Sequence, residues 1–190
     1  MTRKALIPIL IAAALPLLEG CVPLALTGAT AAAAMAGDRR TTGMYIEDES
    51  IEWKSLARVR EVSRNAHVNA ISFNRRVLLT GEAPSEDDRR RIEEAVKAIE
   101  HVREVTNEIQ VAGASSMASR GSDALITSNV KARMVNNGKF SPTHVKVVTE
   151  AGTVYLMGLV SQAEGDAAAE VARTTSGVTR VVKVFEYLTR

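Results

Sequence analysis

An internal repeat constrains the fold of this chain more than any other feature of its sequence. His67–Ser72 matches His144–Thr149, and Val77–Gly81 matches Val154–Gly158 at the same offset along the chain. The matches then continue at an offset that is shorter by one, because the first copy has one extra residue after Gly81. Similarity that persists at one spacing predicts two copies of one structural unit.

Each copy predicts the same order of elements. A leading amphipathic helix, at 51–62 and at 123–136, precedes a short apolar strand. A tight turn and a second strand follow, and the closeness of the two strands favours a hairpin. Second helices are predicted near 86–100 and 162–176, and each is followed by a last strand.

Capping residues mark the starts of the second helices. Ser85 and Ser161 are candidate N-caps, because a serine oxygen at this position accepts a hydrogen bond from a free amide of the first turn. Asp88 and Glu164 follow three residues later, where a carboxylate suits the positive end of the helix. Gly177 is a candidate C-cap of the last helix.

The repeat therefore predicts an α+β fold class with two tandem small αββαβ sandwich domains. In each domain the helices cover one face of a three-stranded mixed sheet. Domains of about 60–70 residues are small but can fold alone. The predicted divisions are a signal peptide at 1–20, a tether at 21–48, a first domain at 49–111, a flexible linker at 112–122 and a second domain at 123–190.

The N-terminus predicts an export signal. Arg3 and Lys4 precede an apolar run, Ala5–Leu18, and small residues follow up to Cys21. A short basic region, an apolar stretch and small residues before a cleavage site are typical of a secretory signal peptide. The alternative is a transmembrane helix, which needs roughly 20 apolar residues. Two prolines and Glu19 interrupt this run, which favours the signal peptide.

Composition argues against several classes of function. The chain has 24 Lys and Arg residues against 22 Asp and Glu residues, whereas nucleic-acid-binding proteins usually have a concentrated basic face. A single cysteine excludes an intramolecular disulfide, and three histidines without converging partners predict no metal site. No nucleophile motif with a candidate base and no phosphate loop is present, so we predict neither a cofactor nor an enzymatic activity.

Several other residues are interpreted as structural. Gly81 and Gly158 each stand where a strand ends, which predicts a tight bend or a close approach of two backbones. Trp53, the only tryptophan, is predicted to lie in the core of the first unit. The mixed charges at 86–94 predict a solvated helix face with internal ion pairs, with partner docking as the alternative.

The end of the signal, Leu18–Cys21, resembles the lipobox of bacterial lipoproteins, in which the cysteine is lipidated and becomes the first residue of the mature chain. This resemblance implies that Cys21 carries acyl chains and that residues 21–48 are an acylated tether. Val22 stands where lipoproteins retained in the inner membrane typically carry Asp. The resemblance therefore implies an outer-membrane anchor facing the periplasm.

The two repeats resemble BON domains, small αββαβ modules of bacterial periplasmic and outer-membrane proteins. Val77–Gly81 and Val154–Gly158 carry this resemblance, together with the valines at positions 102, 105, 178 and 181. With the lipobox, Asp38–Gly43 and Val145–Glu150, the chain resembles the dual BON-domain outer-membrane lipoproteins. This implies binding of anionic phospholipid through the second domain, enrichment at division sites, support of envelope integrity and a link to the outer-membrane protein assembly machinery.

In that family the lipid-binding surface is the leading helix of the second domain. Here Ile126, Val130 and Met134 recur at four-residue spacing and are predicted to face the core. A second apolar strip beside a cation suits shallow insertion near anionic headgroups. The predicted lipid-binding residues are Leu125, Ser128, Lys131, Ala132 and Val135. The alternative is that Leu125 packs at the domain edge and Lys131 is only solvated.

The distribution of charge also favours the second domain. Residues 49–111 hold 11 basic and 12 acidic residues, a net charge of −1, whereas residues 121–190 hold 8 and 6, a net charge of +2. Two functions from different classes remain. The first is a lipid-binding module of the outer membrane, and the second is an adaptor that docks on the outer-membrane protein assembly machinery, with lipid contact incidental. The oligomeric state and the orientation of the two domains have no signature in the sequence.

Overall fold

The computed structural model describes residues 37–113 and 116–189, and these contain two copies of the same arrangement of helices and strands. The first copy consists of α1 (Thr42–Val62), β1 (His67–Phe73), β2 (Arg76–Ala83), α2 (Glu86–Lys97), β3 (Glu104–Asn107) and β4 (Gln110–Val111). The second consists of α3 (Met117–Val135), a 3₁₀ turn (Pro142–His144), β5 (Val145–Glu150), β6 (Thr153–Val160), α4 (Gln162–Arg173) and β7 (Arg180–Tyr187). The predicted α+β fold class is confirmed.

Both sheets are mixed, with a central strand that has one antiparallel and one parallel neighbour. In the first sheet β2 pairs antiparallel with β1 and parallel with β3 and β4. In the second sheet β6 pairs antiparallel with β5 and parallel with β7. The predicted last strand of the first domain is split, because the side chain of Asn107 accepts a hydrogen bond from the amide of Ile109 at the break. The second sheet has the predicted three strands.

The two hairpins have the same kind of turn. Asn74 and Arg75 have φ values of 53° and 64°, and Ala151 and Gly152 have 48° and 74°. Positive φ at both central residues is typical of a type I′ turn, whose twist matches that of the flanking strands. The hairpins predicted from the sequence are therefore confirmed.

Each second helix begins at its serine. The Ser85 hydroxyl accepts a hydrogen bond from the amide of Asp88 at 3.1 Å. The Ser161 hydroxyl accepts from the amide of Glu164, and the Glu164 carboxylate accepts from the amide of Ser161, which completes a capping box. Both helices end three residues earlier than predicted, at Lys97 and Arg173.

The residue at the end of the last helix also differs from the prediction. Thr174, not Gly177, is the C-cap of α4. Gly177 has a φ of +88° in the turn that follows, where an added Cβ would lie 3.0 Å from the side chain of Ile126. Its role is to let that turn pack against α3, so the interpretation of Gly177 as a C-cap is wrong.

Both leading helices begin earlier than the sequence indicated. Thr41 caps α1 through a hydrogen bond from the amide of Met44, and Ser116 caps α3 through the amide of Ser119. Residues 42–48 of the predicted tether and residues 117–122 of the predicted linker therefore lie in the leading helices. Gly43 lies in the first turn of α1. Glycine is tolerated there, because its cost to a helix is highest in the interior.

Trp53 corrects another interpretation. Its side chain is 73% exposed, whereas Ile51, Ser55 and Val59 on the same helix are buried. Trp53 lies two positions after Ile51, about 200° around the helix, and so points away from the core. The periodicity of the buried residues predicts this position better than the general preference of tryptophan for cores.

The helices cover one face of each sheet, and the opposite faces of the two sheets pack against each other. Two apolar clusters lie between helices and sheet, one in each domain. A third buried cluster combines both domains and contains Phe73, Leu78, Tyr155, Met157 and Val184. Successive strand residues point to opposite faces, and both faces of each sheet are covered, so almost every residue of β2 and β6 is buried.

Polar contacts connect the two domains around the packed sheets. The Lys146 ammonium donates to the Glu52 carboxylate at 2.8 Å, and the Asn69 side chain donates to Glu150 at 3.1 Å. The Arg76 guanidinium donates to the carbonyl of Phe185 at 2.8 Å. The two domains therefore form one unit, which includes all residues from Gly37 onward.

Candidate lipid-binding surface

The leading helix of the second domain, α3, has one buried and one exposed side. Ile126, Val130 and Met134 are buried, as their four-residue spacing predicts. Leu125 and Val135 are 68% and 67% exposed. The structure exposes all five residues that were predicted to bind lipid: Leu125, Ser128, Lys131, Ala132 and Val135. They lie on one helix and share its solvent side.

The charges of α3 are almost all positive. The helix contains Arg120, Lys131 and Arg133 but only one carboxylate, Asp123. Asp123 is buried and accepts hydrogen bonds from the amides of Ala151 and Gly152 at 2.9 and 2.8 Å. The exposed side of α3 is therefore cationic, which suits an anionic surface.

The two cations near the C-terminal end of α3 have different surroundings. Arg133 donates to the hydroxyls of Thr175 and Thr174 at 2.8 and 2.9 Å, which ties it to the end of α4. Lys131 is exposed and has no ion pair among the residues that the structure describes. Lys131 is therefore the cation of this surface that is available to an anionic ligand.

The two glycines predicted to be structural lie where backbones come close together. A Cβ added to Gly81 would lie 2.0 Å from the carbonyl oxygen of His67, and one added to Gly158 would lie 2.3 Å from that of His144. In both domains this is the approach of the central strand to the start of its hairpin partner. Gly81 also has a φ of +103°, which other residues rarely adopt.

The segment before α1 binds the second domain, which the sequence did not reveal. The Arg39 guanidinium donates two hydrogen bonds to the Glu164 carboxylate, each of 2.8 Å, and one of 2.8 Å to the carbonyl of Leu159. Thr143 donates to the carbonyl of Gly37 at 2.8 Å. The Arg39 guanidinium and the backbone of Ser161 lower the pKa of Glu164 from 4.5 to about 2 despite its partial burial.

Arg40 connects this segment to the core of the first domain. Burial by itself would lower its pKa, but hydrogen bonds to Asp38 and Asp48 outweigh burial and raise it. The guanidinium also lies over the ring of Phe73, 4.0 Å from its centroid. Asp48 in turn accepts hydrogen bonds from the amides of Asn74 and Arg75, both at 2.8 Å.

A signal for part of this arrangement was present in the sequence. Asp48 and Asp123 occupy corresponding positions of the two leading helices, and each holds the type I′ turn of its own domain. Their offset along the chain is slightly shorter than that of the strands, because loops of different length join the leading helices to the strands. A comparison that allows such a shift would have found the pair, whereas the contacts of Arg39 and Arg40 have no repeat signature.

The part of the chain that the structure describes contains neither a candidate metal site nor a candidate membrane-spanning helix. Within residues 37–113 and 116–189 no three His, Cys, Asp or Glu side chains converge to hold a metal ion. Within the same ranges no helix combines the length and the apolar character needed to cross a membrane. Cys21, the predicted site of lipidation, lies outside the described residues.

The charged face of α2 agrees with the prediction of internal ion pairs. Arg89 pairs with Glu86 at 3.0 Å, and Arg90 and Arg91 both pair with Asp87. These side chains are partly or largely exposed, so each pair stabilises the helix only slightly. The face needs no partner to satisfy its charges.

Comparisons with known proteins find two copies of one domain, as the internal repeat predicts. The family model described as the BON domain matches residues 48–113 and 122–189. The chain is 40% identical to the outer membrane lipoprotein DolP of Haemophilus influenzae over 174 residues, which is 90% of each protein. It is 34% identical to the 21 kDa hemolysin of Actinobacillus pleuropneumoniae over 80% of this chain and 79% of that protein.

Two further likenesses are weaker. The chain is 28% identical to osmotically-inducible protein Y of Escherichia coli over 73% of this chain and 72% of that protein. The C-terminal domain of CdsD, a structural protein of the type III secretion system of Chlamydia trachomatis, matches with a TM-score of 0.31 and 11% identity over 70% of this chain and 97% of that one. Both BON matches together cover most of the chain, and the chain therefore belongs to the BON-domain family, as a dual BON-domain outer-membrane lipoprotein.

Proposed function

We propose that this protein binds the surface of anionic phospholipid membranes through α3 of its second BON domain. The observation that carries the proposal is the exposed side of α3, where Leu125 and Val135 are two-thirds exposed beside Lys131, a cation without an ion pair among the described residues. A shallow apolar strip inserts at the headgroup boundary, and a neighbouring cation adds attraction to anionic lipid.

Binding by α3 would add to the hold of the lipid anchor. The acyl chains predicted on Cys21 keep the protein near the membrane, and only a short segment separates Cys21 from Gly37. Even when fully extended, a segment of this length reaches at most about 58 Å. A short connection to the anchor raises the local concentration of membrane surface around the domains, which favours even a weak contact.

Vesicle sedimentation tests the proposal with the chain from residue 21 onward carrying Cys21→Ala, which cannot be acylated. We expect this protein to bind vesicles containing phosphatidylglycerol and to bind phosphatidylcholine vesicles far less. Leu125→Glu should weaken binding at least tenfold, because it removes an inserted apolar group and adds repulsion. Lys131→Gln should weaken it about fivefold at low salt and less at high salt.

Trp53→Glu is the matched control, because Trp53 is 73% exposed on α1, the corresponding helix of the first domain. This variant should bind vesicles as the unaltered protein does. Equal binding by Leu125→Glu and the unaltered protein would assign the lipid contact to another surface. Retention on phosphatidylcholine vesicles at the same level would remove the electrostatic part of the proposal.

The position of Trp53 favours a second candidate function, in which the first domain docks on a protein. Ile46 and Trp53 are two helical turns apart on α1 and are 63% and 73% exposed, so they form an apolar strip on one side of the helix. Exposed tryptophan is common at the centre of protein interfaces. The outer-membrane protein assembly machinery is the partner class that the family resemblance implies.

We also propose that the protein supports envelope integrity at division sites. A fluorescent fusion tests the location, and the detergent sensitivity of a deletion strain tests the support of the envelope. The same variants, expressed in the deletion strain, distinguish the two candidate functions. If lipid contact carries the function, Leu125→Glu fails to complement and Trp53→Glu complements. If docking carries it, the pattern reverses.

A further inference from the structure

A groove of about 440 Å³ lies beside the C-terminal end of α3. One wall comes from the second domain and includes Lys131, Met134 and Val135. The other comes from the segment before α1 and its first turn and includes Arg40 and Tyr45. The groove thus exists only because that segment and the first domain pack against the second domain.

The groove combines an apolar lining with one uncompensated positive charge. Tyr45, Phe73, Met134, Val135 and Val145 contribute rings and aliphatic groups. Three cations, Arg40, Lys131 and Lys146, also line it. Arg40 is neutralised by Asp38 and Asp48, and Lys146 is paired with Glu52 at 2.8 Å. Lys131 has no such partner among the described residues, so its charge faces the groove.

We infer that this groove holds one anionic phospholipid molecule, with its phosphate at Lys131 and the first part of its acyl chains on the apolar lining. The inference rests on the proposed lipid binding by α3 and adds to it a site for an individual lipid. Lys131 and Val135 belong both to the exposed lipid-binding strip and to the groove, so the two surfaces are continuous. The volume is typical of small-ligand sites and too small for a whole lipid, whose remaining chains would extend into the membrane.

An amphiphile fits this chemistry better than either of its parts. A purely apolar ligand would leave Lys131 without a counter-charge, and a free phosphate would leave Tyr45 and Val135, which are 39% and 67% exposed, in contact with water. A lipid with a negative headgroup satisfies both at once. Two of the lining residues, Met134 and Val145, are 1% and 7% exposed, so their methyl groups report on a ligand that enters the groove.

The experiment titrates the Cys21→Ala chain from residue 21 with dihexanoyl phosphatidylglycerol below the concentration at which it forms micelles. Methyl NMR follows Met134 and Val145 in the groove and Leu125 on the outer strip. We expect saturable shifts at Met134 and Val145 and little change at Leu125. Dihexanoyl phosphatidylcholine should bind at least fivefold more weakly, because the groove carries a cation that no carboxylate neutralises.

Tyr45→Glu supplies the matched change, since it places a carboxylate in the groove without altering α3. We expect it to weaken binding of monomeric lipid about tenfold through repulsion of the phosphate. Tyr45→Phe keeps the ring and should bind as the unaltered protein does. Trp53→Glu, on the same helix but outside the groove lining, should also leave binding unchanged, and thermal melting shows that each variant is folded.

Several results would overturn the inference. One is that Met134 and Val145 do not shift while the protein still binds phosphatidylglycerol vesicles, which leaves surface binding intact and the groove empty. Another is that sn-glycerol 3-phosphate produces the same shifts at the same concentration, which makes the site one for small anions. Equal weakening by Tyr45→Glu and Trp53→Glu would also contradict it. Shifts in the groove without any vesicle binding would support the groove and reject the surface.

Discussion

The leading helices of the two BON domains have the same buried side and different exposed sides. With the helices aligned on their buried aspartates, the buried positions of α1 correspond one to one with those of α3: Asp48, Ile51, Ser55 and Val59 with Asp123, Ile126, Val130 and Met134. The exposed side of α1 carries Ile46 and Trp53, and that of α3 carries Leu125 and Val135. The buried side preserves the domain, so only the exposed side is free to change function.

Charge separates the two helices further. Helix α1 contains five carboxylates and three cations, whereas α3 contains one carboxylate, which is buried, and three cations. An anionic membrane therefore attracts α3 more strongly than α1. The difference explains why a duplicated unit binds lipid in only one of its copies under our proposal, and it leaves the exposed strip of α1 to another partner.

Substitutions of Gly81 and Gly158 should have the largest effect on stability, and they test how similar the backbones of the two domains are at this point. Gly81→Ala should lower the free energy of unfolding by about 4 kcal/mol, because the added Cβ meets a carbonyl and φ is positive. Gly158→Ala should lower it by about 2 kcal/mol, because it meets only the close carbonyl. Chemical denaturation followed by circular dichroism measures both values.

The control for the glycines is Gly121→Ala. A Cβ at Gly121 meets nothing within 4 Å, and the residue lies in α3. Alanine is a better helix former there, so stability should stay the same or rise slightly. If Gly158→Ala were as stable as the unaltered protein, the close approach of the two backbones would not restrict that position.

The buried aspartates test whether the two helix-to-turn contacts are equivalent. Asp48→Ala should lower the free energy of unfolding by about 3 kcal/mol, because two turn amides and the buried Ser72 hydroxyl lose their acceptor and Arg40 loses one of its partners. Asp123→Ala should lower it by about 2 kcal/mol, since the two turn amides lose their acceptor. Equal losses in denaturation experiments would mean that the contacts of Asp48 with Arg40 and Ser72 add nothing.

Asp88 and Glu164 are corresponding carboxylates at the starts of α2 and α4, and only Glu164 is bound by Arg39 of the segment before α1. Substituting both tests how much the Arg39 contact contributes to stability. The pKa of Glu164 is lowered from 4.5 to about 2 by Arg39, so its contribution is complete above pH 4.5 and is lost as the pH falls toward 2. Glu164→Gln should therefore lower stability by about 2 kcal/mol at pH 7. The difference from the unaltered protein should shrink toward zero as the pH falls from 4.5 to about 2.

Asp88 is the matched control in the first domain. Its pKa is lowered by hydrogen bonds to Ser85 and Ser63, and among the described residues no arginine from the segment before α1 binds it. Asp88→Asn should therefore change stability less at pH 7 and show a weaker dependence on pH. If acid removed the effects of both substitutions to the same extent, the Arg39 contact would not distinguish the two capping sites.

Much of the fold was predictable because the repeat and the capping residues are local signals. The hairpin turns, the N-caps Ser85 and Ser161, and the core-facing spacing of Ile126, Val130 and Met134 all depend on residues close together in the chain. The predicted lipid strip on α3 is exposed, and its binding of lipid is still a prediction. The general preference of tryptophan for cores predicts the wrong side of α1 for Trp53, whereas the spacing of the buried residues predicts its exposed side.

The starts of the leading helices and the segment before α1 were not predictable for a different reason. Thr41 and Ser116 cap helices that begin in regions rich in small and polar residues, where local preference is weak. Asp38, Arg39 and Arg40 looked like part of a tether, because the partners of Arg39, Glu164 and Leu159, lie far away along the chain. Contacts of that separation leave no periodicity for a sequence to show.

The sequence by itself determined two αββαβ units, their hairpin turns, the N-caps of their second helices and the membership of the BON family. Tertiary structure alone decided that the two sheets pack face to face, that the segment before α1 binds the second domain, and that a groove forms beside Lys131. Local geometry is encoded within one unit, because backbone preference and apolar spacing act over a few residues. The arrangement of the units depends on the side chains that point to the face of each sheet opposite the helices. An apolar residue on that face indicates that the face is buried, but it does not indicate which element covers it.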